Sequence, residues 1–132
     1  MTLLEWTEVY VQHRDLFEKK IAKIAAQHDT VLVTQKDGSS WKAIAAPELG
    51  DDVVAHVGAG RVLLVTRNLK ANTDVVLQHW KRLAANPELK IVFVNVAKNE
   101  KWLLVPSTHD KVTEPSTLKL GLTAMREAVP EG

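Results

Sequence analysis

The chain contains no cysteine. That excludes disulfides, thiolate metal sites and a cysteine nucleophile. It also lacks an excess of charge: 17 Lys and Arg stand against 16 Asp and Glu, for a formal net charge of +1. A nucleic-acid binder that works through bulk charge carries a larger basic surplus, so any phosphate contact has to come from a local patch. No apolar run approaches the roughly 20 residues that span a bilayer, so no membrane partner is expected. The opening Met1-Thr-Leu-Leu-Glu-Trp-Thr-Glu8 carries carboxylates and no basic segment, unlike a secretory signal. Together these absences point to the cytoplasm. Internal repeats, low-complexity tracts and linkers are missing too. The 132 residues suffice for one domain with a real core.

What is present is organised around residues 61–96. Arg61-Val-Leu-Leu-Val-Thr-Arg67 and Lys90-Ile-Val-Phe-Val-Asn-Val96 are nearly continuous in apolar, largely β-branched residues. Such runs are strands covered on both faces. Between them Val76, Trp80, Leu83 and Ala84 recur at helical spacing. The three pieces form a βαβ unit with parallel strands and a right-handed crossover, and Val76 and Trp80 should face the sheet. The four tryptophans (6, 41, 80 and 102) are spread along the chain and suit core or interface packing.

Taken from the start, Thr2-Leu-Leu-Glu5 matches a capping box. Trp6, Val9, Tyr10, Phe17, Ile21 and Ile24 then trace one face of a helix expected over residues 3–27. His13 falls at the edge of that face, as a core-edge histidine. Thr30–Gln35 and Trp41–Ala46 read as a hairpin around Asp37-Gly38. Pro47 ends the second strand. Asp51 or Asp52 caps a short helix through Val53, Val54 and Val57, which Gly58-Ala-Gly60 closes. Trp102–Val105 returns antiparallel to Lys90–Val96, and Pro106 stops it. Residues 107–114 read as a loop. Pro115 opens a last helix whose buried face is Leu118, Gly121, Leu122, Met125 and Val129, with Gly121 marking a close backbone approach. Pro130-Glu-Gly132 is expected to fray.

The fold class that follows is α/β: one domain, a mixed sheet of about five strands, in the order α-β-β-(α)-β-α-β-β-α. This order contains the run αβββαβ, which resembles the common core of restriction-endonuclease-like domains. The resemblance is one of element order. It implies a metal held by an acidic residue on one strand and an Asp/Glu-x-Lys on the next, before the crossover helix. The strand in that place, Val62-Leu-Leu-Val-Thr-Arg67, has no carboxylate, and Glu88-Leu-Lys90 follows the helix instead. Glu48, Asp51 and Asp52 are the nearest acidic candidates.

Other chemistry finds little support. The five histidines (13, 28, 56, 79 and 109) form no His-x-His or His-x-x-x-His, so no zinc site is indicated. His109 and Asp110 are neighbours that an extended chain would point apart. Gly58 and Gly60 precede a strand, whereas a dinucleotide loop follows one. No nucleophile elbow or P-loop is present. No cofactor, metal or catalytic residue is assigned.

The strongest candidate is the loop after the central strand. Arg67, Asn68, Lys70 and Asn72 lie at its carboxyl end, where ligands of open α/β sheets bind. Asn72 or Thr73 is expected to cap the following helix, whose free N–H groups favour an anion. Asn95 and Lys98 should emerge beside them from the neighbouring strand. The leading expectation is a non-catalytic binding or interaction domain that contacts a phosphate-bearing ligand or nucleic acid here. The alternatives are a divergent nuclease-like, metal-dependent enzyme, and a structural subunit of a homodimer or larger homo-oligomer.

Overall fold

The computed structural model describes residues 1–132, the side chain of Pro115 apart. Helix α1 (Leu3–Arg14) opens with the capping box read from the sequence. The Thr2 hydroxyl accepts from the Glu5 N–H, and the Glu5 carboxylate accepts from the Thr2 N–H. That amide bond holds the Glu5 carboxyl below the usual carboxylate range.

The helix expected over 3–27 stops about halfway. The Asp15 carboxylate accepts the N–H groups of Lys20 and Ile21, and Lys19 turns the chain at φ 52°. Strand β1 (Ile21–Gln27) then pairs antiparallel with β2 (Thr30–Gln35). Its residues, Ile-Ala-Lys-Ile-Ala-Ala-Gln, are compatible with either state. A neighbouring strand decides between them, and local propensity is a weak prior. Two side chains move out with the correction. Phe17, placed on a buried face by the helix reading, is 95 % exposed in the turn, and His13 is exposed on α1.

β2 continues through the Asp37-Gly38 turn into β3 (Ser40–Ala45), its antiparallel partner. Gly38 has φ 89°, and the Asp37 carboxylate takes the Ser39 N–H. Helix α2 (Asp51–Val57) is capped by Gly50, with Asp51 and Asp52 in its first turn, and Gly58 ends it at φ 65°. β4 (Val62–Arg67) lies parallel to β3. The crossover to the next strand is two helices, α3 (Lys70–Gln78) and α4 (Trp80–Ala84), separated by His79 at φ −106° and ψ 22°. β5 (Leu89–Asn95) runs parallel to β4, and β6 (Glu100–Leu104) antiparallel to β5. Residues 107–114, expected as a loop, are mostly helix α5 (Pro106–Val112). Pro106 both ends the strand and opens the helix, because the first helical turn has no use for the donor proline lacks. Helix α6 (Pro115–Glu127) closes the order.

The sheet therefore has six strands, one more than expected, in the sequential order β1-β2-β3-β4-β5-β6. The βαβ unit and the mixed α/β class stand as read. The two faces are covered unequally. On one side, Val54, Val57, Val76, Trp80, Leu83 and Leu122 from the helices pack on Ile44, Leu64, Ile91, Phe93, Trp102 and Leu104. On the other, Leu3, Trp6 and Val11 of α1 pack on Val31, Val33, Ala43, Ala45, Leu63, Val65, Val92 and Val94. Successive strand residues serve opposite faces, which is why the central strands are apolar throughout. On α6, Leu122 is buried and Leu118 half-buried, as is Val129 just past the helix, but Gly121 and Met125 are exposed. A Cβ at Gly121 would meet nothing within 4 Å, so no backbone approach requires the glycine. Among the described residues, no helix is long and apolar enough to cross a membrane.

Val76 and Trp80 face the sheet. Trp80 is 8 % exposed, and its Nε1 donates to the Asp110 carboxylate at 2.8 Å. Trp80→Ala leaves a cavity under the crossover and should cost about 3–5 kcal/mol, a fall in Tm on the order of 10 °C. Melting of the variant within a degree or two of the parent, roughly the width of a surface substitution, would show that this helix face carries no core.

Candidate functional site

The carboxyl ends of β4 and β5 bring the sequence-predicted residues to one edge. Arg67 is the last residue of β4 and Asn95 the last of β5. The Asn68 N–H extends the ladder by donating to Val94 O at 3.0 Å. Asn68 itself is fully buried. Its Nδ2 donates to the carbonyls of Arg126, Val129 and Pro130, at 3.0, 2.9 and 3.3 Å. Its Oδ1 accepts from Trp102 Nε1 at 2.9 Å. Both ends of the amide are thus engaged by the chain.

Asn95 behaves similarly. Its Nδ2 donates to Pro130 O and Glu131 O, and its Oδ1 accepts from Lys98 N. Arg67 Nε donates to Gly132 O at 3.0 Å, and Gly132 N–H donates to Asn68 O at 3.3 Å. A Cβ on Gly132 would come within 2.7 Å of the Asn95 side chain, so the segment lies directly on it. Residues 130–132, expected to fray, are instead fastened across the strand ends by three side chains.

Asn72 is not a cap. Helix α3 begins at Lys70 with Leu69 at its N-cap, and no side chain caps it. Asn72 lies inside the helix, 1 % exposed. It donates to Pro47 O and Arg67 O and accepts from Leu49 N, bracing the segment after β3 against the end of β4. Thr73, the other expected cap, donates its hydroxyl to Lys70 O. Both residues face inward because the helix is capped at Leu69, three or four residues before the expected cap. Lys70 is exposed and pairs with Asp74 at 2.9 Å. Lys98 is exposed beside the end of β5. The edge therefore separates into buried amides bonded to backbone and cations facing solvent.

The topology explains why no crevice opens between these strand ends. Ligand clefts in open α/β sheets arise where successive crossovers leave to opposite faces. Here α2 and the α3–α4 pair lie on the same face. The neighbouring ends stay closed, and residues 126–132 cover them.

With β1 added, the run αβββαβ falls on α1-β1-β2-β3-α2-β4. Strands β2, β3 and β4 contain no Asp or Glu. Asp51 bonds His79 at 2.8 Å, and the Asp52 carbonyl bonds the His56 ring. Among the described residues, no three His, Asp or Glu side chains are grouped so as to hold a metal ion. His109 rests on Val105 O while Asp110 binds Trp80, so these neighbours form no dyad. The Gly58 and Gly60 carbonyls both accept from Asn86 Nδ2, which closes that loop on itself.

Sequence reasoning missed a concavity at the opposite, amino end of the parallel strands. Tyr10, Arg14, Trp41 and Arg61 line it. They come from three separated segments, and the helix expected over 3–27 placed Arg14 and Lys20 on one straight rod. No local spacing signals such a site.

Asn68→Asp tests the closure of the carboxyl edge. The carboxylate can still accept from Trp102 Nε1 but has no N–H for the part-buried carbonyls of Arg126, Val129 and Pro130. Each stranded group costs about 1–3 kcal/mol, so a clear drop in the urea midpoint is expected. Hydrogen exchange near residues 128–132 should speed up with it. An unchanged midpoint with unchanged protection would refute the closure. No family model, no curated protein and no solved structure matches this chain.

Proposed function

We propose that this domain acts by binding rather than catalysis. Its contact with a phosphate-bearing polymer, nucleic acid, is made by the exposed cations of the carboxyl edge. One observation supports the reading. The amides of that edge are bonded to the chain's own backbone, while Arg67, Lys70 and Lys98 face solvent. Such an edge offers positive charge to solvent, with its amides already bonded to the chain. Lys70 contributes less, because Asp74 partly neutralises it. Sequence-independent, salt-sensitive contact with phosphates is what this arrangement serves.

The test is titration with a short labelled oligonucleotide at several salt concentrations. Affinity should fall with roughly one power of salt per phosphate contacted. Arg67→Ala with Lys98→Ala should weaken binding and reduce the slope by about two, with only a small change in Tm, since both side chains are exposed and the one bond lost, from Arg67 Nε to Gly132 O, holds the last residue. Mg²⁺ or Mn²⁺ in the same tubes should leave the strand uncut. No binding at low salt, or equal binding by parent and variant, removes the proposal. Cleavage lost on Glu48→Ala or Asp52→Ala would replace it with the nuclease-like reading.

A second reading, a subunit of a homo-oligomer, rests on a different observation. Val9, Leu16 and Phe17 are 50 %, 58 % and 95 % exposed on α1 and the turn after it. Three of the four tryptophans, expected as interface residues in that reading, are instead buried in the domain's own core. Light scattering on dilution separates the two. A mass that stays above the monomer, and falls to it on Phe17→Ser, supports self-association. A monomer at all concentrations rejects it.

A further inference from the structure

The concavity at the amino end of the parallel strands has a different character from the carboxyl edge. It encloses about 210 Å³. Its floor is apolar and buried: Val11 from α1, with Val62 and Leu63 from β4. Four cations line it, Arg14 from the end of α1, Lys20 from the turn, Arg61 from before β4 and Lys90 from β5. Three carboxylates share the lining, those of Asp15, Glu18 and Glu88. Yet among the described residues the ion pairs within 4 Å are Lys70–Asp74, His79–Asp51 and Arg126–Glu127, none of them here. Asp15 is engaged by two backbone N–H groups instead.

The two arginines are held in place by aromatic partners. The Arg61 guanidinium lies over the Trp41 ring, 4.2 Å from its centroid. Arg14 donates one N–H to the Tyr10 hydroxyl at 3.0 Å and lies 5.7 Å from that ring's centroid. Stacking of this kind fixes a guanidinium plane and leaves its fork of donors free. Trp41 Nε1 is a further donor, buried and without an acceptor among the described residues. Buried indole N–H groups ordinarily find a partner. The stacked Arg61 fork, the remaining donors of Arg14 and an apolar floor in one concavity describe a receptor for acceptor oxygens.

We infer that this groove binds a small molecule bearing an oxyanion, phosphate or carboxylate, clamped between Arg14 and Arg61. A concavity of about 210 Å³ has room for one small oxyanion-bearing molecule. Glu18 and Glu88 at the rim oppose an extended polyanion. The site is independent of the carboxyl edge, since it shares no residue with it.

The experiment follows the indole N–H resonance of Trp41 in the ¹⁵N-labelled protein, assigned through Trp41→Phe. Inorganic phosphate and succinate are the probes, and sodium chloride at matched ionic strength is the control. A saturable shift with either probe, at a Kd below about 1 mM, is expected. Phosphate alone, or succinate alone, names the source of the oxyanion. Arg14→Gln with Arg61→Gln should weaken binding at least about tenfold, the loss of charge-assisted bonds. Arg14→Gln alone, which leaves the Trp41 stack intact, should show the same direction if the double variant is poorly folded. No saturable shift up to about 20 mM, far above the expected range, would overturn the proposal. So would the same shift with chloride, or unchanged affinity in both variants.

Discussion

A single buried amide holds the ends of this sheet together. Asn68 joins the end of β4, the indole of Trp102 on β6 and the backbone of residues 126–130. An amide at zero exposure cannot be left half-bonded without a cost comparable to a lost hydrogen bond for each idle group. Satisfying it demands that α6 end where it does and that the following residues cross the strand ends. The stacking of Trp102 on Phe93, centroids 4.3 Å apart, depends on the same indole being held in plane. Local geometry, helix placement and closure of the edge are thus one linked arrangement.

The unequal cover of the two sheet faces shapes everything else on the surface. Five helices lie against or beside one face, while α1 alone shields the other. Because α1 stops at Arg14, it leaves the amino ends of β3, β4 and β5 partly uncovered. The gap becomes a concavity with an apolar floor and a charged rim. The same early stop exposes Leu16 and Phe17 in the turn.

The parts of the fold legible in the sequence are those with strong local chemistry. The Thr2–Glu5 box, the Asp37-Gly38 turn, the glycine stop at Gly58 and the apolar β4 and β5 all carry their structure in neighbouring residues. The misread parts are those where neighbours are neutral. Residues 21–27 became a strand because β2 was beside them, and residues 106–112 became a helix although their polarity suggested a loop. At the carboxyl edge, position was legible and role was not. Arg67, Asn68, Lys70, Asn72, Asn95 and Lys98 lie along one edge, but an asparagine in sequence does not say whether it faces solvent or carbonyl oxygens.

By itself, the sequence determined the class of the domain, the parallel pairing at its centre and the absence of thiol chemistry. These follow from composition and from periodicity, which act over a few residues. Only the tertiary structure decided which amides are buried, that the strand ends are closed by residues 126–132, and that Arg14 and Arg61 line one groove. Those outcomes depend mainly on contacts between segments 23 residues or more apart in the chain. No local pattern records them, because each side chain's partner is chosen by where the whole sheet places it.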